Sequence, residues 1–226
     1  MQSYSQLGQD VQALERFKED EKAYFVDVGA HDGITLSNTY LLEQNGWTGL
    51  CIEPNPALFE ELSRNRLGSN CVKAAAFSES GKEFEFRDAG LLGGITDYIS
   101  TYREHTKDAS TFQILSRTLD DILSEFNAPK YIQYLSIDTE GTELEILKGI
   151  DFSKYQFGLI SIEHNYEEPK RSTMQQFLRE RGYQRHRENQ WDDDYIPTLK
   201  KQNKTSDSIP SIAVTRRDWR PQLWVA

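Results

Sequence analysis

The chain has 226 residues, 37% of them apolar and 27% charged, and 26 basic against 36 acidic side chains leave a formal net charge of −10. No stretch approaches the roughly 20 consecutive apolar residues that cross a bilayer, and 4 Trp, 11 Tyr and 11 Phe supply too much aromatic surface for a disordered chain. The negative field disfavours nucleic acid as a bulk partner; Lys200–Lys204 and Arg216-Arg217 are the clustered basic exceptions and read as solvated charge.

This length suits one hydrophobic core. A single domain is expected over residues 1–200, with an N-terminal helix or lid in 1–20. Residues 201–226 have no period and read as an extended tail, docked through Trp219 and Trp224. Met1-Gln2-Ser3-Tyr4 opens no basic-then-apolar leader, so a reduced, cytoplasmic location is expected. Cys51 and Cys71 fall in apolar runs and read as small buried hydrophobes.

In chain order, the apolar runs Ala23–Val28, Gly49–Glu53, Asn70–Ala76, Tyr131–Asp138 and Phe157–Glu163 predict strands buried on both faces of a parallel sheet. Helices are predicted between them. Ser37–Asn45 follows the first strand and Pro56–Arg66 the second, with proline in the first turn. Thr118 opens a capping box ahead of Leu119–Phe126; Glu140–Lys148 ends at Gly149, and Pro169–Arg181 at Gly182. The alternation predicts a doubly wound, Rossmann-like α/β sheet. Lys82–Arg87 and Phe112–Leu115 look like strands around a mobile loop at Gly90, Gly93 and Gly94. Tyr183–Asn189 and Asp194–Thr198, joined by Gln190–Asp193, predict a C-terminal antiparallel hairpin on the sheet edge, with Asp192-Asp193-Asp194 as a solvated turn.

Ligands of such sheets bind outside the carboxyl ends of the strands. After the first strand comes Asp27-Val28-Gly29-Ala30-His31-Asp32-Gly33, a turn without the glycine spacing of a dinucleotide fingerprint. Asp27 and Asp32 would repel a pyrophosphate, which favours a cofactor carrying positive charge. Glu53 ends the second strand where a carboxylate accepts hydrogen bonds from ribose hydroxyls; the alternative is a helix-capping acid before Pro54. Ala74–Phe77, including Ala76, would flank an adenine.

The fourth strand runs into Ser136-Ile137-Asp138-Thr139-Glu140-Gly141-Thr142-Glu143. Thr139 as a helix cap, with Glu140 and Glu143 in the acidic first turn, accounts for the second and third acids. Asp138 is expected at the strand tip, in the cleft. The fifth strand ends in Glu163-His164-Asn165, which beside Asp138 reads as an acid–base group or an oxygen/nitrogen metal site. Arg171 either grips an anionic substrate or pairs with Glu167 or Glu168.

The order of Tyr4-Ser5-Gln6-Leu7-Gly8-Gln9-Asp10, DVGAHDG, Ser37-Asn38-Thr39, CIEPN, LSIDTEGTELEIL and IEHN resembles the FkbM family of S-adenosylmethionine-dependent methyltransferases over about residues 4–195. The resemblance implies the seven-stranded methyltransferase sheet and methyl transfer to a hydroxyl of a sugar, glycan or small natural product. It implies that Asp27, Gly29, Ser37, Asn38 and Glu53 hold the cofactor, that Gln9 and Asp10 lie on a closing N-terminal helix, Ser5–Phe17, and that Asp138, Glu163 and His164 face the acceptor. The acceptor proton would go to His164 as general base. Alternatively, Asp138, Glu163 and Asn165 would hold Mg²⁺ or another divalent cation that lowers the hydroxyl pKa. A nicotinamide-dependent oxidoreductase and a catalytically inactive cofactor-binding module are the competing functional classes.

Overall fold

The computed structural model describes residues 2–198; the extended tail, its two tryptophans and the basic clusters expected beyond Lys200 lie outside them. The elements run α1 (Gln9–Arg16), β1 (Tyr24–Val28), α2 (Tyr40–Gln44), β2 (Thr48–Ile52), α3 (Pro56–Asn65), β3 (Asn70–Val72), β4 (Ala75–Ala76), β5 (Glu83–Arg87), β6 (Gly94–Ile95), α4 (Arg103–Thr106), β7 (Thr111–Arg117), α5 (Leu119–Glu125), β8 (Tyr131–Ile137), α6 (Glu143–Lys148), β9 (Gln156–Glu163), α7 (Lys170–Glu180), β10 (Tyr183–Asn189) and β11 (Asp192–Pro197). The expected seven-stranded sheet forms in the order β10-β11-β9-β8-β1-β2-β3, with β11 antiparallel to both its neighbours. Among the described residues no helix is long and apolar enough to cross a membrane.

Alternation along the strands divides the core. Val26, Val28, Leu50, Ile52, Leu135 and Ile137 pack on the face covered by α5, α6 and α7. Phe25, Cys51, Tyr134 and Leu159 pack on the opposite face with Ala13, Leu42 and Leu62 of the first three helices. Each central strand is apolar on both sides because both sides are covered. Cys51 is a free, buried thiol and Cys71 a free, half-buried one.

Several boundaries differ from the sequence reading. The run Asn70–Ala76 is two strands: exposed Lys73 interrupts it, and Ala75–Ala76 leave the main sheet to pair with Ser116 and Arg117 in a second sheet, β4-β7-β5-β6. The first helix begins at Gln9, since the Asp10 carboxylate takes the Tyr4 and Ser5 N–H groups and Gly8 is left-handed. Ser37–Thr39 are not helical; the Ser37 hydroxyl accepts from the N–H groups of Thr39 and Tyr40. α6 starts at Glu143 because Glu140 and Gly141 have φ of 57° and 138°, which no right-handed helix allows. Gly94 lies in β6, paired with Arg87, within the stretch read as a loop.

The hairpin shows the largest departure. Its turn is only Gln190-Trp191, and Asp192–Asp194 belong to β11, each less than 10% exposed. Asp194 accepts from the Ser161 hydroxyl at 2.6 Å, while Asp193 takes Arg171 at two oxygens, 2.7 and 2.8 Å away. Arg171 is thereby committed to Asp193 and to Glu188, and its side chain does not pair with Glu167 or Glu168.

Close strand contact makes one position in β2 intolerant of any side chain. A Cβ on Gly49 would fall 2.4 Å from the Phe25 carbonyl oxygen on β1. Gly49→Ala should destabilise the fold by about 2 kcal/mol, lowering the melting temperature by about 4–8 °C for a chain of this size, as thermal denaturation followed by circular dichroism will show.

Candidate active site

The carboxyl ends of β1, β2, β8 and β9 open into one cavity of about 550 Å³. Its first wall is the turn after β1. Gly29 is left-handed, and a Cβ there would sit 1.8 Å from the Asp138 carbonyl oxygen. Glycine is therefore the condition for the β1 and β8 tips to meet. Asp27 lines the cavity floor and accepts from the Thr39 hydroxyl at 2.6 Å; burial raises its pKa.

Glu53 is 5% exposed at the end of β2. Its carboxylate accepts the His31 N–H at 2.9 Å and the Asn55 N–H at 2.8 Å, which ties the two strand-end turns together. Burial lifts its pKa to about 7. The helix cap, the alternative role for Glu53, falls to Asn55, whose side chain accepts from Ala57 and Leu58. Ser37, Asn38 and Ala74–Ala76 complete this half of the lining; Asn38 donates to the Ser136 hydroxyl at 2.9 Å.

The other half is acidic. One carboxylate oxygen each from Asp138, Glu140 and Glu163 lies within 4.8 Å of the others. Burial raises all three pKa values, to about 6 for Asp138, about 8 for Glu140 and about 12 for Glu163; nearby carboxylates add to it in each case, Glu143 and Asp27 for Asp138, while a hydrogen bond with Glu163 holds Asp138 down. The Asn165 amide donates to Glu163 at 2.8 Å and to Glu140 at 3.4 Å, so it presents hydrogens to the carboxylates rather than a ligand oxygen to a cation. The oxygen cluster that could hold a metal is thus Asp138, Glu140 and Glu163, with Glu140 in the place expected of Asn165. Asp192 reaches the same cavity from β11, hydrogen-bonded to Gln9, with its pKa raised to about 7 by burial and by Asp138.

Two expected site residues lie outside the lining. His164 is 1% exposed; its Nδ1 accepts the Tyr166 N–H at 2.9 Å and its Nε2 lies 3.6 Å from Asp193. The imidazole faces the interior and orders the Asn165-Tyr166 turn instead of meeting an acceptor in the cavity. Asp10 is fully buried and accepts from Ser3, Tyr4 and Ser5, fastening the N-terminal segment, while its neighbour Gln9 reaches the cavity. Glu143 is not a solvated first-turn acid. It is buried, folds back to accept from Thr139 and Gly141, and binds Lys170 at 3.1 Å.

Glu140, Asp192 and Tyr102 are cavity residues that the pattern of the sequence did not expose. Glu140 was hidden by its resemblance to a helix first turn, and Asp192 by its place in a charge run. Tyr102 sits in the stretch between β6 and β7, where no strand tip signals a ligand. Five lining residues, His31, Leu36, Glu140, Asn165 and Tyr166, hold φ between 46° and 58°. Such conformations cost energy and persist where the surroundings enforce them, as at binding sites.

Comparison with known proteins gives a Methyltransferase FkbM domain match over residues 27–185. No curated protein matches the chain in sequence. Among solved structures, the METTL16 MTase domain is 13% identical with a TM-score of 0.48, over 84% of this chain and 66% of that one. The N-terminal domain of human METTL16 in complex with SAH is 14% identical at TM-score 0.47, over 84% and 68%. Precorrin-6y C5,15-methyltransferase from Geobacter metallireducens GS-15 is 12% identical at TM-score 0.46, over 85% and 87%. This chain therefore spans just under two thirds of the METTL16 MTase domain.

A carboxyl with a folded pKa above its unfolded one keeps a proton in the fold that the unfolded chain releases. Stability is then lost as pH rises above the ordinary carboxylate range. Glu163→Gln removes that loss. The variant should melt at least about 2 °C above the parent chain at pH 8, and the gain should shrink toward pH 5 in paired thermal melts.

Proposed function

Since the chain belongs to the FkbM methyltransferase family, we propose that its cavity binds S-adenosylmethionine and directs a methyl group to a hydroxyl of a sugar, glycan or small natural-product acceptor. The observation that carries this reading is the charge of the lining. Asp27, Glu53, Asp138, Glu140, Glu163 and Asp192 face the cavity, and among the described residues no Lys or Arg does. Such a donor set suits a sulfonium and repels a pyrophosphate, which leaves the nicotinamide alternative without support. It likewise disfavours an anionic acceptor, nucleic acid included.

The cofactor supplies an electrophilic methyl group on a positive sulfur. The chain supplies position and a proton acceptor. Glu53 retains lone pairs for ribose hydroxyls beyond its two backbone bonds, and Ala74–Ala76 leave a flat apolar wall for a purine. Asp27, Gly29, Ser37 and Asn38 shape the floor between them. At the acceptor end, Asp138 is the base of choice. Burial raises both Asp138 and Glu163, and the hydrogen bond between them lowers Asp138 and raises Glu163, so the proton of the pair rests on Glu163 and Asp138 is the one left to accept. This division of two carboxyls into base and acid is what burial and repulsion impose. His164 takes no proton from the acceptor in this scheme; it holds the turn that carries Asn165 and Tyr166.

A second reading rests on the convergence of Asp138, Glu140 and Glu163, whose oxygens would fit a divalent cation in place of their shared protons. Chelation separates the two. With Asp138 as base, EDTA leaves turnover unchanged; loss with EDTA and recovery with Mg²⁺ would give the proton's removal to a metal instead.

Titration calorimetry with S-adenosylhomocysteine should show binding by the purified chain, weakened about tenfold by Glu53→Gln, the loss of one hydrogen bond to a charged group. Asp138→Asn should cut turnover by about 10²–10⁴-fold while changing the dissociation constant for S-adenosylhomocysteine less than threefold. Equal activity of Asp138→Asn and the parent would reject the base, and no binding at all would reject the cofactor.

A further inference from the structure

Arg66 follows α3, is 1% exposed and lines no part of the cavity. A guanidinium keeps its charge in any surroundings, so burial at this depth requires partners for its fork of donors. Only one partner is a carboxylate: Nε donates to Glu43 Oε2 at 2.9 Å. The remaining contacts grip the segment 33–39. Nη1 donates to the Gly33 carbonyl at 3.2 Å and to the Thr39 hydroxyl at 3.0 Å, and Nη2 donates to the Thr39 carbonyl at 3.3 Å. Phe25 and Tyr40 close over the guanidinium, their ring centroids 5.2 and 5.8 Å away. The seat is tight enough that a Cβ on Gly33 would lie 2.6 Å from Arg66 Cγ.

The direction of these hydrogen bonds matters. Arginine offers donors and no acceptor. The Thr39 oxygen therefore accepts from Arg66, and its own proton is left for the Asp27 carboxylate, 2.6 Å away on the cavity floor. The same segment carries Ser37 and Asn38 into the lining. We infer that Arg66 is a positioning residue for the cofactor end of the cavity: through the Thr39 hydroxyl it aims the Asp27 carboxylate, and through the Gly33 and Thr39 carbonyls it clamps the loop that presents Ser37 and Asn38. The inference rests on the S-adenosylmethionine reading of the cavity.

Removing Arg66 itself would strand Glu43 in the interior, so the test works through Thr39. In the full-length chain, Thr39→Val deletes the relay at nearly constant shape and should weaken S-adenosylhomocysteine about tenfold by calorimetry, the worth of one hydrogen bond to a charged group. Thr39→Ser restores the hydroxyl and should return the dissociation constant to within twofold of the parent value. Arg66→Lys keeps a cation opposite Glu43 but gives up the fork that reaches Gly33 and Thr39; it should weaken S-adenosylhomocysteine as Thr39→Val does. Parental affinity in Thr39→Val or in Arg66→Lys, or no recovery in Thr39→Ser, would each overturn the assignment. Failure of the parent chain to bind S-adenosylhomocysteine is a separate result, which removes the cofactor reading and this inference with it.

Discussion

The molecule is organised around the desolvation of carboxylates. Six of them face one cavity, where burial weakens the screening of their repulsion by water. Taking a charged carboxylate out of water is costly, and three answers to that cost are visible. Glu53 and Asp27 are given donors, from two backbone amides and from the Thr39 hydroxyl. Glu143 is given a lysine. Glu140 and Glu163 are given little but the Asn165 amide and keep protons instead, which leaves Asp138 beside them as the carboxyl free to take one. The groups left least satisfied are those with most to gain from a cation or from an acceptor's proton, which is how stability is exchanged for reactivity at a site.

The strand tips bring these groups together, and backbone geometry decides which side chains arrive. Gly29 lets β1 touch β8 where any Cβ would collide with the Asp138 carbonyl. Left-handed residues at His31, Glu140, Asn165 and Tyr166 then reverse the chain immediately after three of the four strands. Each reversal turns a backbone N–H or a side chain toward the cavity that a continuing helix would have turned away. The His31 N–H reaches Glu53 by this means, and the Glu140 carboxylate enters the acidic corner.

This explains what could be read from the residues alone. The parallel strands, the closing hairpin, the Thr118 cap and the gathering of Asp27, Glu53, Asp138 and Glu163 at one edge all follow from apolar runs and strand ends, signals that survive in one dimension. Glu140 and Asp192 did not, for opposite reasons. Glu140 obeys the preference for acids in a first helical turn, and only its positive φ removes it from the helix. Asp192–Asp194 look like a solvated turn because three consecutive charges seldom share a buried strand. They do so here because each has its own partner: Gln9 for Asp192, Arg171 for Asp193 and Ser161 for Asp194. Those partners come from 183, 22 and 33 residues away, beyond any local pattern.

His164 shows why a residue type at a strand end is weaker guidance than its next neighbours. Glu163 and His164 are adjacent in sequence, and alternation along an extended backbone sends their side chains to opposite sides. Since Glu163 lines the cavity, His164 must turn away from it, and it finds Asp193 on β11. Accepting the Tyr166 N–H at Nδ1 requires that nitrogen to be unprotonated, which leaves the ring's proton on Nε2, toward the Asp193 carboxylate. Asp193 in turn is held well below the usual carboxylate range by Arg171 and His164. The histidine is thus engaged at Nδ1 and faces Asp193 at Nε2, away from the cavity, and the proton chemistry of the cavity falls to carboxylates whose environments differ enough to set one apart as base.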